Sequence, residues 1–213
     1  MKGSRHVALL GDSIFDNRAY TGGEPDVVSH LRSILPAPWR ATLLAIDGSV
    51  IADLRAQLKR VPRDASHLVV AVGGNDALMN QDLLATPVRS SSKTLALFGA
   101  RVKVFELAYR RAIEAAVALG RHTTICTIYN GNLEEPQATL SHVGLAIFND
   151  AILRVAFEHG LTVIDLRSIC STPADYANSI EPSGSGGRKI AEAIARAIGA
   201  IEEPRSSRVI SLG

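Results

Sequence analysis

Five short runs of apolar and β-branched residues, each bounded by glycine or a polar turn residue, constrain this chain's fold more than any other feature. They are Val7 to Leu10, Ala41 to Ile46, His67 to Val72, Thr123 to Tyr129 and Leu161 to Asp165. Runs of this length, apolar on both faces, suit the inside of a parallel sheet that helices cover on each side. The segments between them carry helical periodicity. Leu145, Phe148, Ile152 and Val155 form one stripe; Ile190, Ala193, Ile194, Ala197 and Ile198 form another, with Gly199 placed to stop that helix. Arg101 to Leu119 reads as a long helix with Phe105, Ala108, Ala112 and Ala116 on one face. Strand–helix alternation predicts a doubly wound α/β fold with a five-stranded parallel sheet and right-handed crossovers.

A chain of 213 residues can bury one ample core. With no repeat or linker in view, a single domain over 1-200 is expected, followed by a polar tail over 201-213. Lys and Arg exceed Asp and Glu by only two, which gives no electrostatic case for nucleic acid or an anionic membrane. Of the two cysteines, Cys126 and Cys170, Cys126 lies in an apolar run and is expected to be a buried free thiol. No apolar stretch approaches the ~20 residues that span a bilayer, so membrane insertion is not expected. The start lacks a secretory apolar region; a cytoplasmic location is expected. Asn80 to Gly99, with Pro87 and Ser90-Ser91-Ser92, breaks the rhythm and reads as a substrate-side loop or a mobile surface connection.

Three strand ends carry the chemistry. The first run leads into Gly11-Asp12-Ser13. Taken alone, that serine reads equally as a helix N-cap or as a hydroxyl presented at the crevice beyond a strand end. The second run leads into Asp47-Gly48-Ser49, where a glycine amide can approach a ligand closely, and the third into Gly73-Gly74-Asn75-Asp76, which offers a carboxamide. Together the Ser13 N–H, the Gly48 N–H and the Asn75 side chain provide the donors of an oxyanion hole, the element that stabilises charge developing on an ester carbonyl.

These three blocks, in this order and strand context, resemble the SGNH (GDSL-type) serine hydrolases. Glu181-Pro182-Ser183 and Gly186, leading into an amphipathic last helix, resemble the family's final block. The likeness runs from Val7 to Gly199. It implies a flavodoxin-like three-layer α/β/α sandwich and hydrolysis of esters, thioesters or acetylated sugars, with Ser13 as nucleophile and Gly48 and Asn75 as oxyanion donors. The chain departs from the family where the final block reads Asp-x-x-His-Pro. This sequence has Asn178-Ser179-Ile180-Glu181-Pro182. Glu181 therefore stands where the family has its base, and Asn178 where it has the orienting acid. A solvated Glu is about two pKa units less basic than His, a loss of ~3 kcal/mol in driving force that burial can partly recover.

Other groups compete for the base role. His6, His67 and His122 precede strands and lie at the wrong sheet edge; His30 is expected to be solvated, and His159 to sit at a helix C-terminus. His142, after the loop from Asn130 to Ser141, is the one stand-in at the correct edge, against the simpler reading of a solvated helix start. Asp175 reads as a solvated loop carboxylate. Asp12 is a possible auxiliary group, while the pair Asp12 and Asp16 lacks the further acids of a metal site. Gly184-Ser185-Gly186-Gly187 reads as a turn and helix start. The sequence suggests no cofactor or metal. The expected ligand is a small-molecule ester, and oligomeric state is not readable. The expectation is an esterase working through Ser13 and Glu181; the alternative is a degenerate domain that binds an acylated ligand or protein partner without turnover.

Overall fold

The computed structural model describes residues 5–202, so residues 203–213 of the expected tail lie outside the described residues. Five strands, β1 (His6–Gly11), β2 (Arg40–Leu43), β3 (His67–Ala71), β4 (His122–Cys126) and β5 (Thr162–Ile164), form one sheet in the order β2-β1-β3-β4-β5. Every pairing is parallel, with Val7 opposite both Ala41 and His67. This is the flavodoxin-like order, in which the chain reverses its winding direction between β1 and β3. The strands β2 and β4 end three residues earlier than the apolar runs suggest, although Leu44 N, Ala45 N and Ile46 N still donate to β1 and Thr127 N to β5.

Alternation along the strands builds two cores. Ala8, Leu10, Leu68 and Val70 face one side; Val7, Leu9, Val69 and Ala71 face the other. The first face is covered by α2 (Leu54–Leu58), α5 (Ser91–Val117) and α6 (Gln137–Glu158), through Leu54, Phe105, Tyr109, Ile113, Ile152 and Val155. The second is covered by α1 (Val27–Ile34) and α8 (Gly184–Ala197), through Val27, Leu31, Ile190 and Ile194. Three short helices complete the set: α3 (Gly74–Leu78), α4 (Asp82–Ala85) and α7 (Leu166–Ile169).

The helices correct the sequence reading in three places. First, α5 begins ten residues before Arg101: Ser90 is its N-cap, its hydroxyl accepting from Lys93 N, so the serine run starts a helix and is not loop. Second, α4 lies within the same segment, between the Asn80 turn and Pro87. Third, α6 starts at Gln137 inside the expected 130–141 loop. At 22 residues and a mean hydropathy of 1.3 it is long and apolar enough to cross a bilayer by length and composition alone. Its stripe of Phe148, Ile152 and Val155 instead packs into the core. As expected, Gly184 to Gly187 open α8, with Ser183 as N-cap. Cys126 and Cys170 are buried free thiols.

Candidate active site

Ser13 lies in a tight turn immediately beyond β1. Asp12 N donates to Ala71 O, holding the turn against β3, and Phe15 N and Asp16 N both return to Asp12 O. The preceding Gly11 has φ +132, and a Cβ there would stand 1.7 Å from Ala71 O; only glycine lets the two strand ends approach this closely. Gln57 clasps the same residue, accepting from Gly11 N at 2.8 Å and donating to Gly11 O at 2.8 Å. The nucleophile candidate therefore rests on a rigid platform at the point where the sheet reverses direction, where ligands of such sheets bind.

The chain from Tyr176 to Pro182 comes back to this platform. An isolated antiparallel bridge joins Tyr176 and Pro182, and Ala177 N donates to Glu181 O at 2.8 Å. Asn17, fully buried, donates from its side chain to Pro182 O at 3.1 Å and accepts from Val27 N at 3.0 Å. Tyr129 donates its hydroxyl to Ile180 O. Gly131 presses on the same loop, with Ser179 O only 2.8 Å from where a Cβ would be. The result is that Ser13 Oγ donates to Glu181 Oε1 at 3.1 Å. Both residues are buried, at 8% and 7% exposure.

Glu181 Oε2 is also buried and has no hydrogen-bond partner among the described residues. Burial raises the Glu181 carboxyl above the ordinary glutamate range; the Ser13 hydrogen bond opposes the shift and the Asp47 charge adds to it. Asp12 is affected more strongly. Burial, helped by the charges of Glu181 and Asp76 and opposed by the Ile14 N–H bond, pushes it up to about 7. The site thus pairs a hydroxyl with a carboxylate that holds a proton more readily than a solvated one.

A cavity of about 380 Å³ opens beside this pair, and Asp12, Ser13, Asn75 and Glu181 all line it. Asn75 donates from Nδ2 to Ser49 O at 2.9 Å. A carboxamide carries two N–H groups, so one anchors the side chain while the other is free for a ligand. Asp76 adds a second tie to the same loop, its Oδ2 accepting from Ile51 N at 2.9 Å.

Other expectations meet a different geometry. Gly48 is exposed in the turn after β2 and is not among the cavity's lining residues; the cavity unites Ser13 and Asn75 but not the third expected donor. His142 is exposed on α6 and does not line the cavity, whereas Ser141, Gly144 and Leu145 do. Asn178 does not bond the Glu181 carboxylate. Its Oδ1 accepts from Ile180 N and Glu181 N, each at 2.9 Å, so it orients the backbone. Asp175 is not a solvated carboxylate: its side chain is fully buried, paired with Lys189 Nζ at 2.6 Å and bonded by Ser171 N, Thr172 N and Thr172 Oγ1. It holds the loop that carries Glu181. His30 has a buried Nε2 with no hydrogen-bond partner among the described residues, where a solvated ring was expected. Asp16 accepts from Asp47 N, and no cluster of three metal-ligating side chains occurs among the described residues.

Sequence reasoning missed Tyr129, Asn17 and Gln57. Each acts through a backbone group between 46 and 165 residues away, a relationship no local motif encodes.

Solved structures resemble the whole chain. The extracellular lipase of Streptomyces rimosus superposes with a TM-score of 0.67 at 15% identity, covering 90% of this chain and 99% of that one. Phospholipase A1 from Streptomyces albidoflavus gives 0.68 at 15% identity, covering 92% and 100%. A catalytic mutant of an acetylxylan esterase from Geobacillus stearothermophilus gives 0.62 at 18% identity, covering 95% and 99%. These likenesses establish the fold as the α/β fold of the SGNH hydrolases. No curated protein matches the sequence. The GDSL-like Lipase/Acylhydrolase family matches residues 9–188, a span that takes in the Ser13 turn, Asn75 and Glu181. The chain belongs to the GDSL-like lipase/acylhydrolase family.

Proposed function

We propose that the protein hydrolyses carboxylic esters with Ser13 as nucleophile and Glu181 as general base. The observation that carries this reading is the 3.1 Å hydrogen bond from Ser13 Oγ to Glu181 Oε1 at the edge of a cavity. As Ser13 attacks the acyl carbon, its proton passes along this bond to Glu181. The carbonyl oxygen takes up negative charge opposite the Ser13 N–H and the second N–H of Asn75. Glu181 then gives its proton to the departing alkoxide, leaving an acyl-serine. A water molecule, deprotonated by Glu181, attacks the acyl-serine and regenerates the hydroxyl.

Two features support a carboxylate in this role. A carboxylate has no tautomer to fix, so no orienting acid is required. Burial with Oε2 unpartnered raises its proton affinity, offsetting part of the ~3 kcal/mol deficit against histidine. The absence of any histidine from the cavity lining favours a second reading, in which an acylated ligand or protein partner binds without turnover. A fluorophosphonate probe together with p-nitrophenyl ester hydrolysis separates the two. The hydrolase reading expects labelling and turnover in wild type and neither in Ser13→Ala. Equal labelling of both proteins, or no turnover by either, rejects it.

A further inference from the structure

We infer that Asp12 is an additional oxyanion donor: its carboxyl is neutral in the working enzyme and gives a hydrogen bond, from Oδ2, to the charge that forms on the ester carbonyl. The inference rests on the ester-hydrolase reading above and adds a catalytic residue to it.

The first observation is a count of charges. Asp12 and Glu181 both line the cavity, at 3% and 7% exposure, and each adjoins Ser13, Asp12 along the chain and Glu181 through the Ser13 hydroxyl. No lysine, arginine or histidine lines the cavity, and neither carboxyl has an ion pair among the described residues. Two buried carboxylates beside one hydroxyl, with no cation to share, cannot both stay ionised, so the pair retains one proton. The Ser13 hydroxyl donates to Glu181 and favours the charge there. Burial, together with the charges of Glu181 and Asp76, keeps the proton on Asp12. The other titratable groups that sense Asp12 are Cys126, at the end of β4, and Tyr129 just beyond it. Burial pushes both up, so both remain neutral over the same range.

The second observation is where that proton can point. Asp12 Oδ1 is anchored by Ile14 N at 3.1 Å. Oδ2 has no hydrogen-bond partner in another residue among the described residues. It lies 3.9 Å from where a Cβ of Gly74 would stand. Gly74 immediately precedes Asn75, so the carboxyl sits beside the turn that carries the carboxamide donor.

The third observation is a shortfall. Gly48, the donor expected after the second strand, does not line the cavity. A neutral carboxylic acid can take its place, because a buried acid that cannot afford a second charge is a strong and permanent donor. Asp12 transfers nothing: its proton stays on Oδ2 through both tetrahedral intermediates, while the Ser13 proton travels through Glu181.

The test compares wild type, Asp12→Asn and Asp12→Ala in hydrolysis of p-nitrophenyl butyrate between pH 5 and pH 9. Wild-type kcat is expected to fall as pH rises through about 7, where Asp12 ionises. Asp12→Asn keeps an N–H donor and an oxygen for Ile14 N but has no proton to lose. It should be about tenfold slower than wild type at pH 6, as a weaker donor, and should lack the fall at higher pH. Asp12→Ala should lose about 10²-fold in kcat at pH 6 with little change in KM. An Asp12→Ala enzyme as fast as wild type, or the same fall in Asp12→Asn, overturns the inference and leaves the hydrolase reading intact. Infrared difference spectra of wild type against Asp12→Asn at pH 6 give a readout that needs no turnover, and the C=O band of a protonated carboxyl is expected. Without that band Asp12 is ionised, and the inference fails whatever the kinetics. The band in a wild type that hydrolyses no ester rejects the hydrolase reading and the catalytic role of Asp12 with it.

Discussion

Asn178 and Glu181 are joined through the backbone: the Asn178 carboxamide oxygen accepts the Glu181 N–H at 2.9 Å, and also that of Ile180. The residue standing where an orienting acid is expected thus shapes the turn that delivers the carboxylate. Asn178→Ala removes the acceptor for both amides. It is expected to cost about 1 kcal/mol of stability and to lower kcat with little change in KM. Asn178→Asp keeps the acceptor and should restore both. Because position 178 is occupied by backbone amides, Asn178→Asp should add nothing to a Glu181→His variant in steady-state assays.

In the proposed mechanism Asn75 stabilises charge only once the oxyanion forms. Asn75→Ala is expected to reduce kcat by about 10²- to 10³-fold, with KM changing far less. A proportional rise in KM instead would make Asn75 a ground-state contact.

Asp12 should make stability depend on pH in a direction unusual for an acid. Its folded pKa, about 7, lies above the ordinary 3.8, so between these values the native state binds more protons than the unfolded one. Stability from this group is full below the ordinary value and is lost as pH rises toward the folded one. The difference corresponds to at most about 4 kcal/mol. Asp12→Asn keeps an oxygen to accept from Ile14 N and removes the charge. Its melting temperature should exceed that of wild type at pH 8 and approach it at pH 4.

Gly11 is the position least able to change. Gly11→Ala would set its Cβ on the Ala71 carbonyl at a φ that side chains rarely adopt. A loss of ~3 kcal/mol or more is expected by denaturant titration, with the Ser13 turn displaced in whatever remains folded.

The parts of the site that sequence made legible are those carried by contiguous residues at strand ends. Gly11 to Ser13 and Gly73 to Asp76 each combine a backbone demand with the reactive side chain, and parallel topology brings them to one edge. Glu181 was legible through its position in the final block. The ties that aim it were not, because Asn17 and Tyr129 act on backbone groups in other segments, while Asp175 is buried in its own loop against Ser171 N, Thr172 N and Lys189. His142 illustrates the same limit at a finer scale: the correct sheet edge was readable, but not that it lies exposed on α6 while its neighbours Ser141 and Gly144 line the cavity. The Ser90 cap carried a local signal for the start of α5, and its serine run resembled a loop because the same residues serve both.

Removal of the Ser13 proton by the Glu181 carboxylate is read from the single-turnover acylation rate of wild type and Glu181→Gln as a function of pH. Glutamine keeps an oxygen able to accept from Ser13 Oγ but has no affinity for the proton at these pH values. Wild type should show a rate that climbs with pH through a carboxyl titration above the ordinary glutamate range, in keeping with the direction imposed by burial. Glu181→Gln should acylate at least about 10²-fold more slowly and lose that limb. An unchanged rate, or the same limb in the variant, would contradict the claim and remove Glu181 from the chemistry.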